Sequence, residues 1–234
     1  MTTFFISDLH LCDQQPHTSK SFINFCKNKA RDARALYILG DFFEYWLGDD
    51  ALDKTAQTVQ RELKSLTQSG IAVYFMAGNR DFLLGEQFAT SCGMKIIEEP
   101  HVIQLMGQSV LLVHGDAECT DDLPYQKVRS MFRDSSWQKE FLSLPIEQRI
   151  AFAQQAREQS QQHTQSSSTE IMDVNTAAID SLYKKHQVKT IIHGHTHRPA
   201  VHQNQSYTRI VLGDWHHQTS YLAVDEAGFQ LINH

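Results

Sequence analysis

Short apolar runs recur along the chain: FFI at 4–6, LYIL at 36–39, VYFM at 73–76, VLLV at 110–113 and TII at 190–192. They are rich in β-branched and aromatic residues and lack a polar alternate, which is the pattern of strands covered on both faces in a parallel sheet. Helical periods separate the first three. Between 52 and 70, Ala56, Val59, Leu63 and Leu66 recur at three- and four-residue steps, and Gly70 supplies a C-terminal stop. In 19–33, Phe22, Cys26 and Ala30 share one helical face. Strands alternating with helices predict a layered α/β fold.

The rhythm breaks from about 118 to 170. This stretch holds helical patterns only, and it predicts a helical insertion lying over one face of an α/β core. Its longest helix starts at Pro145, a residue suited to a first helical position, and carries an apolar stripe of Ile146, Ile150, Ala153 and Ala156. The Gln- and Ser-rich run that follows would, in isolation, be read as low complexity. A helix resumes at 174–186, and the segments 201–215 and 220–233 predict closing antiparallel strands with a turn at EAG. No repeat or linker divides the chain, so a single domain with an insertion is expected.

Composition narrows the function. The 234 residues are 41% hydrophobic and 21% charged, an ordinary globular balance, and the net charge of −6 gives no global basic field for nucleic acid. The four cysteines form no CxxC pair and predict reduced thiols. No apolar run approaches the roughly 18 residues of a spanning helix, and the N-terminus lacks the length of a signal sequence. A soluble protein is expected, one that touches a membrane at its surface if at all.

The apolar runs share one feature. Each is followed by metal-competent side chains: Asp8 and His10, then Asp41, then Asn79 with Arg80, then His114 with Asp116, then His195 and His197. Ligands of open α/β sheets gather outside the carboxyl ends of the strands, so these clusters should meet on one rim. The two-residue spacing of Asp8/His10 and of His195/His197 would point each pair one way in extended chain. Gly40, Gly78, Gly115 and Gly194 would let the backbone turn sharply beside them. His193 and Asp116 are expected in supporting roles, Asp116 orienting a ligand histidine. The Asp/His/Asn set suits Mn, Zn, Fe or Co, and it is too large for one ion. Two ions about 3.5–4 Å apart, bridged by a carboxylate, activate water for in-line displacement at phosphorus. Asp41 is the expected bridge.

In this order, D-x-H, G-D, G-N-R-D, H-G and G-H-x-H resemble the motifs of the calcineurin-like metallophosphoesterases, over nearly the whole chain. The resemblance implies a four-layer α/β/β/α sandwich with a helical lid insertion. It implies one ion held by Asp8, His10, Asp41 and His197 and another by Asp41, Asn79, His114 and His195. Asn79, Arg80, His114 and His195 become the expected catalytic group. Many members carry histidine where Arg80 stands. Arginine forks onto phosphate but donates protons poorly, which suits a phosphate leaving group.

SDLHL, GDFFEYWLGDD, GNRDFLLG, IMDVN and HGHTHRPAVH are similar to one branch of that family, the lipid A-pathway enzymes that split the diphosphate of UDP-2,3-diacylglucosamine. That branch implies two Mn²⁺ ions (Zn²⁺, Fe²⁺ or Co²⁺ being alternatives) and attack by water at the uridine-side phosphorus, releasing UMP and 2,3-diacylglucosamine 1-phosphate. It also implies a bacterial cytoplasmic protein, peripheral on the inner-membrane face, with no nucleic acid and no obligate protein partner. Substrate contacts carry over to Asn79, Arg80, Asp122, Ser160, Thr164 and His195. The branch's usual lysine near Ser167 is missing, and Arg157 is the candidate to replace its charge, weaker head-group affinity being the alternative. Trp46 and Phe82 are expected in an acyl chamber, with Tyr125, Phe132, Phe141, Ile150 and Phe152 supplied by the lid. Two other readings compete: a dimetal phosphoesterase acting on a polar nucleotide or phosphoprotein, and a non-catalytic scaffold.

Overall fold

The computed structural model describes residues 1–166, 171–216 and 218–233, with 161 and 163–166 given as helix backbone alone. Two mixed sheets stack face to face. In the first, β1 (Thr3–Ile6), β2 (Ala35–Leu39), β3 (Ala72–Met76) and β4 (Lys95–Ile96) run parallel. Helices α1 (Pro16–Asn28), α2 (Lys54–Gln68) and α3 (Glu86–Cys92) make the crossovers. On the other edge, β10 (Ser220–Asp225) and β11 (Gly228–Asn233) add antiparallel, giving the order β11-β10-β1-β2-β3-β4.

The second sheet has the order β5-β6-β7-β9-β8, from β5 (His101–Leu105), β6 (Gln108–Leu112), β7 (Thr190–His193), β8 (Ala200–Gln203) and β9 (Thr208–Val211). Strands β6, β7 and β9 are parallel, while β5 and β8 are antiparallel edges. Thus β9, expected as an antiparallel closing strand, is parallel to β7. Strands β4 and β5 went unread for physical reasons. β4 is two residues long, and β5 alternates half-buried with exposed positions, leaving Val102 42% exposed.

Strand alternation sorts the apolar residues into layers. Phe4, Ile6, Leu36, Ile38, Val73 and Phe75 face α1–α3, meeting Phe22, Val59 and Leu63. Their neighbours Phe5, Leu39 and Met76 face the second sheet and meet Val110, Leu112, Ile192 and Ile210. The far side of that sheet, Leu111, Val113 and Ile191, packs on Ile179 and Tyr183 of α7 (Thr176–His186). The result is the α/β/β/α sandwich. Caps start the helices: Asp53 accepts from Ala56 N at 2.7 Å, and Asn175 accepts from Ala177 N and Ala178 N.

Helices α4 (Leu123–Phe132), α5 (Ser135–Ser143) and α6 (Ile146–Ser166) follow one another outside this stack. The Gln/Ser-rich run is helical as far as Ser166. The expected stripe on α6 is split: Ile146 and Ile150 are 41% and 40% exposed, whereas Ala153 and Ala156 turn inward. Ile150 therefore stands outside the apolar chamber that it was expected to line.

Candidate metal centre

The carboxyl ends of β1, β2, β3, β6 and β7 converge, so the rim is built from both sheets rather than from one. At each end the chain leaves its strand by a tight turn. Asp8, His10, Asp41, His195 and His197 all have positive φ, from 50° to 67°, a region that non-glycine residues seldom occupy. The side-chain pairs therefore converge through left-handed turns and not through extended alternation. The glycines divide their work similarly. Gly40 (φ 86°) and Gly115 (φ 117°) supply left-handed backbone, whereas Gly78 and Gly194 are needed for close approach. A Cβ on Gly194 would lie 2.3 Å from Asp8 Oδ2, and one on Gly78 would lie 2.2 Å from both Asp41 N and Asp41 Oδ1.

Two groups of potential ligands result. Asp8, His10 and His197 form one, and Asp41, His114 and His195 the other, the ligand atoms of each lying within 4.8 Å of one another. His10 Nε2 and His197 Nε2 are 3.3 Å apart, and His197 Nε2 is 3.3 Å from Asp8 Oδ1. Asp41 sits between the groups, Oδ1 being 3.6 Å from His114 Nε2 and Oδ2 3.9 Å from His10 Nε2. Asn79 Oδ1 closes the second group at 3.0 Å from His114 Nε2 and 2.9 Å from His195 Nδ1.

The surroundings hold these atoms in place. Ser7 Oγ and His195 N donate to Asp8 Oδ2, leaving Asp8 Oδ1 buried with no hydrogen bond. His114 Nδ1 faces Leu39 O at 2.8 Å, and His10 Nδ1 lies 3.1 Å from Glu44 Oε2, so that in each ring Nε2 turns toward the centre. Asp81 accepts from Gly78 N, Phe42 N and Phe43 N, stitching the β2 and β3 loops together. The charges are lopsided. Burial works against a proton on His114, yet Asp41, Asp116, Asp8 and Glu99 around it raise its pKa to about 9. Burial, then the neighbouring His114, pushes His195 down to about 4. The surrounding carboxylates thus draw positive charge to His114, while burial disfavours a proton on His195. An orphaned carboxylate oxygen, two O/N triads and a shared carboxylate fit two borderline divalent ions.

The remaining candidates are distributed as follows. His193 is fully buried between Gly194 O and Arg209 Nη1, and burial pushes it to about 3, so it is a neutral core residue. Asp116 accepts from Tyr125 OH at 2.7 Å and Arg129 Nε at 2.8 Å, so it anchors α4 instead of orienting a ligand histidine. Asp122 caps α4 through Tyr125 N. Arg80 reaches Ser160 Oγ at 3.4 Å. Arg157 pairs with Glu44 at 3.1 Å. The side chain of Thr164 and the Ser167 position lie outside the described residues. Glu44, Asp81 and Glu99 were not singled out by sequence. Asp81 stands within the GNRD motif, but nothing in spacing or residue type marks the other two.

Beside the centre opens a cavity of about 490 Å³ under α4–α6. Asn79, Arg80 and Ser160 line it together with Phe82, Phe132, Trp137, Phe141 and Phe152. Phe82 stacks on Phe132 at 5.2 Å, and Trp46 forms a wall, its ring packed on Phe43 and Phe88.

Paired Asp/His sites sharing one carboxylate, on the rim of two stacked sheets, define a two-metal phosphoesterase. The chain belongs to the calcineurin-like phosphoesterase family, whose model matches residues 1–199. It is 50% identical over 242 residues to a UDP-2,3-diacylglucosamine hydrolase of Stenotrophomonas maltophilia (strain R551-3), covering 99% of this chain and 98% of that protein. Over 231 residues it is 46% identical to the enzyme of the same name from Histophilus somni (strain 2336), covering 98% and 99%. A solved archaeal phosphodiesterase, 13% identical, aligns over 100% of both chains with a TM-score of 0.53, a likeness of fold.

Proposed function

We propose that the protein hydrolyses the diphosphate of UDP-2,3-diacylglucosamine to UMP and 2,3-diacylglucosamine 1-phosphate in lipid A biosynthesis. One observation carries this reading: an aromatic cavity opens directly onto the metal centre, with Asn79 and Arg80 at the junction. A polar nucleotide or a phosphoprotein would leave that apolar wall exposed to water, whereas two acyl chains would cover it. The aromatic residues of α4–α6 serve as a lid that keeps water from the tails. The full ligand set argues against a scaffold.

When bound, two divalent ions, Mn²⁺ in this reading, would supply the Lewis acidity for attack by water at phosphorus. Asp8, His10 and His197 would hold one, and Asn79, His114 and His195 the other, with Asp41 shared. The Arg80 guanidinium neutralises the diphosphate at the cavity mouth, helped by Ser160. The oxygen of water joins the uridine-side phosphorus and gives up a proton to solvent, the phosphoanhydride bond breaks, and the lipid phosphate leaves without needing a proton. No helix among the described residues is long and apolar enough to cross a membrane. Exposed Leu123, Val128, Met131 and Ile146 on α4 and α6 suit shallow docking on the cytoplasmic face of the inner membrane.

The test is turnover of UDP-2,3-diacylglucosamine in H₂¹⁸O. Label in UMP is expected. Label in the lipid phosphate would reverse the site of attack, and no turnover would sink the substrate assignment.

A further inference from the structure

The lid helix α6 reaches the metal centre through two charged side chains. Arg157, on α6, places Nε 3.1 Å from Glu44 Oε1, and the other oxygen of that carboxylate lies 3.1 Å from His10 Nδ1. His10 turns Nε2 into the cluster with His197. Glu44 is 8% exposed, and its backbone is fixed. His10 N donates to Asp41 O, Leu11 N to Phe42 O and Glu44 N to Leu11 O, lacing the β1 and β2 loops together. A carboxylate facing Nδ1 selects the tautomer that presents the Nε2 lone pair. Each Glu44 oxygen thus has one partner, a ligand histidine on one side and the lid on the other.

We propose that Arg157 and Glu44 are positioning residues that couple seating of α6 to metal affinity at the His10 site. With α6 seated, Arg157 holds the Glu44 carboxylate close to His10 Nδ1, 3.1 Å away. With α6 lifted, Glu44 loses that partner and His10 is held less firmly. Linkage makes the effect reciprocal, so ion binding at His10 steadies α6. Glu44 engages only Arg157 Nε, and the same arginine side chain lines the cavity with Arg80 and Ser160. The inference rests on the two-metal reading and not on the choice of substrate.

The experiment is a titration of metal-free full-length protein with Mn²⁺ alone, so a failed substrate assignment leaves it intact. Glu44→Gln, nearly isosteric, should weaken one of two Mn²⁺ sites by about 10–100-fold. Arg157→Ala should weaken the same site by about fivefold or more, and Arg157→Lys should recover part of the loss. Mn²⁺ should slow amide hydrogen exchange in α6 of the wild type and not of Arg157→Ala. Wild-type affinities in Arg157→Ala, equal weakening of both sites, or no recovery with lysine would each overturn the coupling.

Discussion

Gly78→Ala isolates what close approach contributes to the centre. Gly78 does not have positive φ, so alanine brings no backbone strain there, yet its Cβ would meet Asp41 N and Oδ1 at 2.2 Å and Gly40 C at 2.9 Å. Backbone atoms cannot escape by changing rotamer. The tips of β2 and β3 must separate by roughly 1 Å, an overpacking cost of about 1–3 kcal/mol. For a chain of this size that is a fall in Tm of roughly 2–12 °C. Asp41 and Asn79 ride on those tips, and a 1 Å displacement of reacting groups costs about 100-fold in rate. Gly70→Ala is the control. It has φ 90° and nothing within 4 Å, so only left-handed strain is added, about 1–2 kcal/mol. Melting curves, Mn²⁺ stoichiometry and turnover of both variants decide the matter. Activity should collapse in Gly78→Ala and persist in Gly70→Ala at similar loss of stability. Full turnover and full metal content in Gly78→Ala would refute the reasoning.

Other outcomes follow from the same geometry. Asp41→Ala removes the shared carboxylate, and turnover should drop by more than about 10³-fold together with bound Mn²⁺. Substantial activity would contradict the bridge. Arg80→Ala should lower turnover by about 10²–10³-fold with metal content intact, because its side chain reaches Ser160 and the cavity while its backbone N alone donates to Asp41. Phe82→Ala should raise KM for the diacylated substrate and leave that for a UDP-sugar without acyl chains unchanged, checked by steady-state kinetics. Burial, then the charges of Glu99 and Asp116, raises the Glu118 pKa from 4.5 to about 7, and its Oε2 has no hydrogen-bond partner. The folded protein therefore holds this proton longer than the unfolded chain, and stability falls as pH rises from about 4.5 to 7. Glu118→Gln should stabilise the fold by about 1–3 kcal/mol at pH 8 and by little near pH 5, read from Tm at both. Equal Tm at pH 8 would refute it.

The chain alone determined the alternation of buried strands and helices and the members of the rim. Apolar runs such as VLLV and TII, short and followed by glycine turns, read as buried strands, and a polar side chain following such a run is placed at the sheet's edge by chain connectivity. Local order therefore made Asp8, Asp41, His114 and His195 legible. The two-residue repeat of His195 and His197 was legible too, but its cause was not. Left-handed φ at those residues depends on how neighbouring loops press on the backbone. Asp81 was legible only as the last letter of G-N-R-D, and Glu44 and Glu99 were illegible because each acts on a group distant in the chain, a partner that leaves no spacing to read. The same holds for the contact between Arg157 and Glu44, which no spacing in the chain announces. Residue type and periodicity set what a segment can bury. Which buried or half-buried charges meet is settled only when the two sheets and α6 close around the loops, because an ion pair is selected by distance in space and not along the chain.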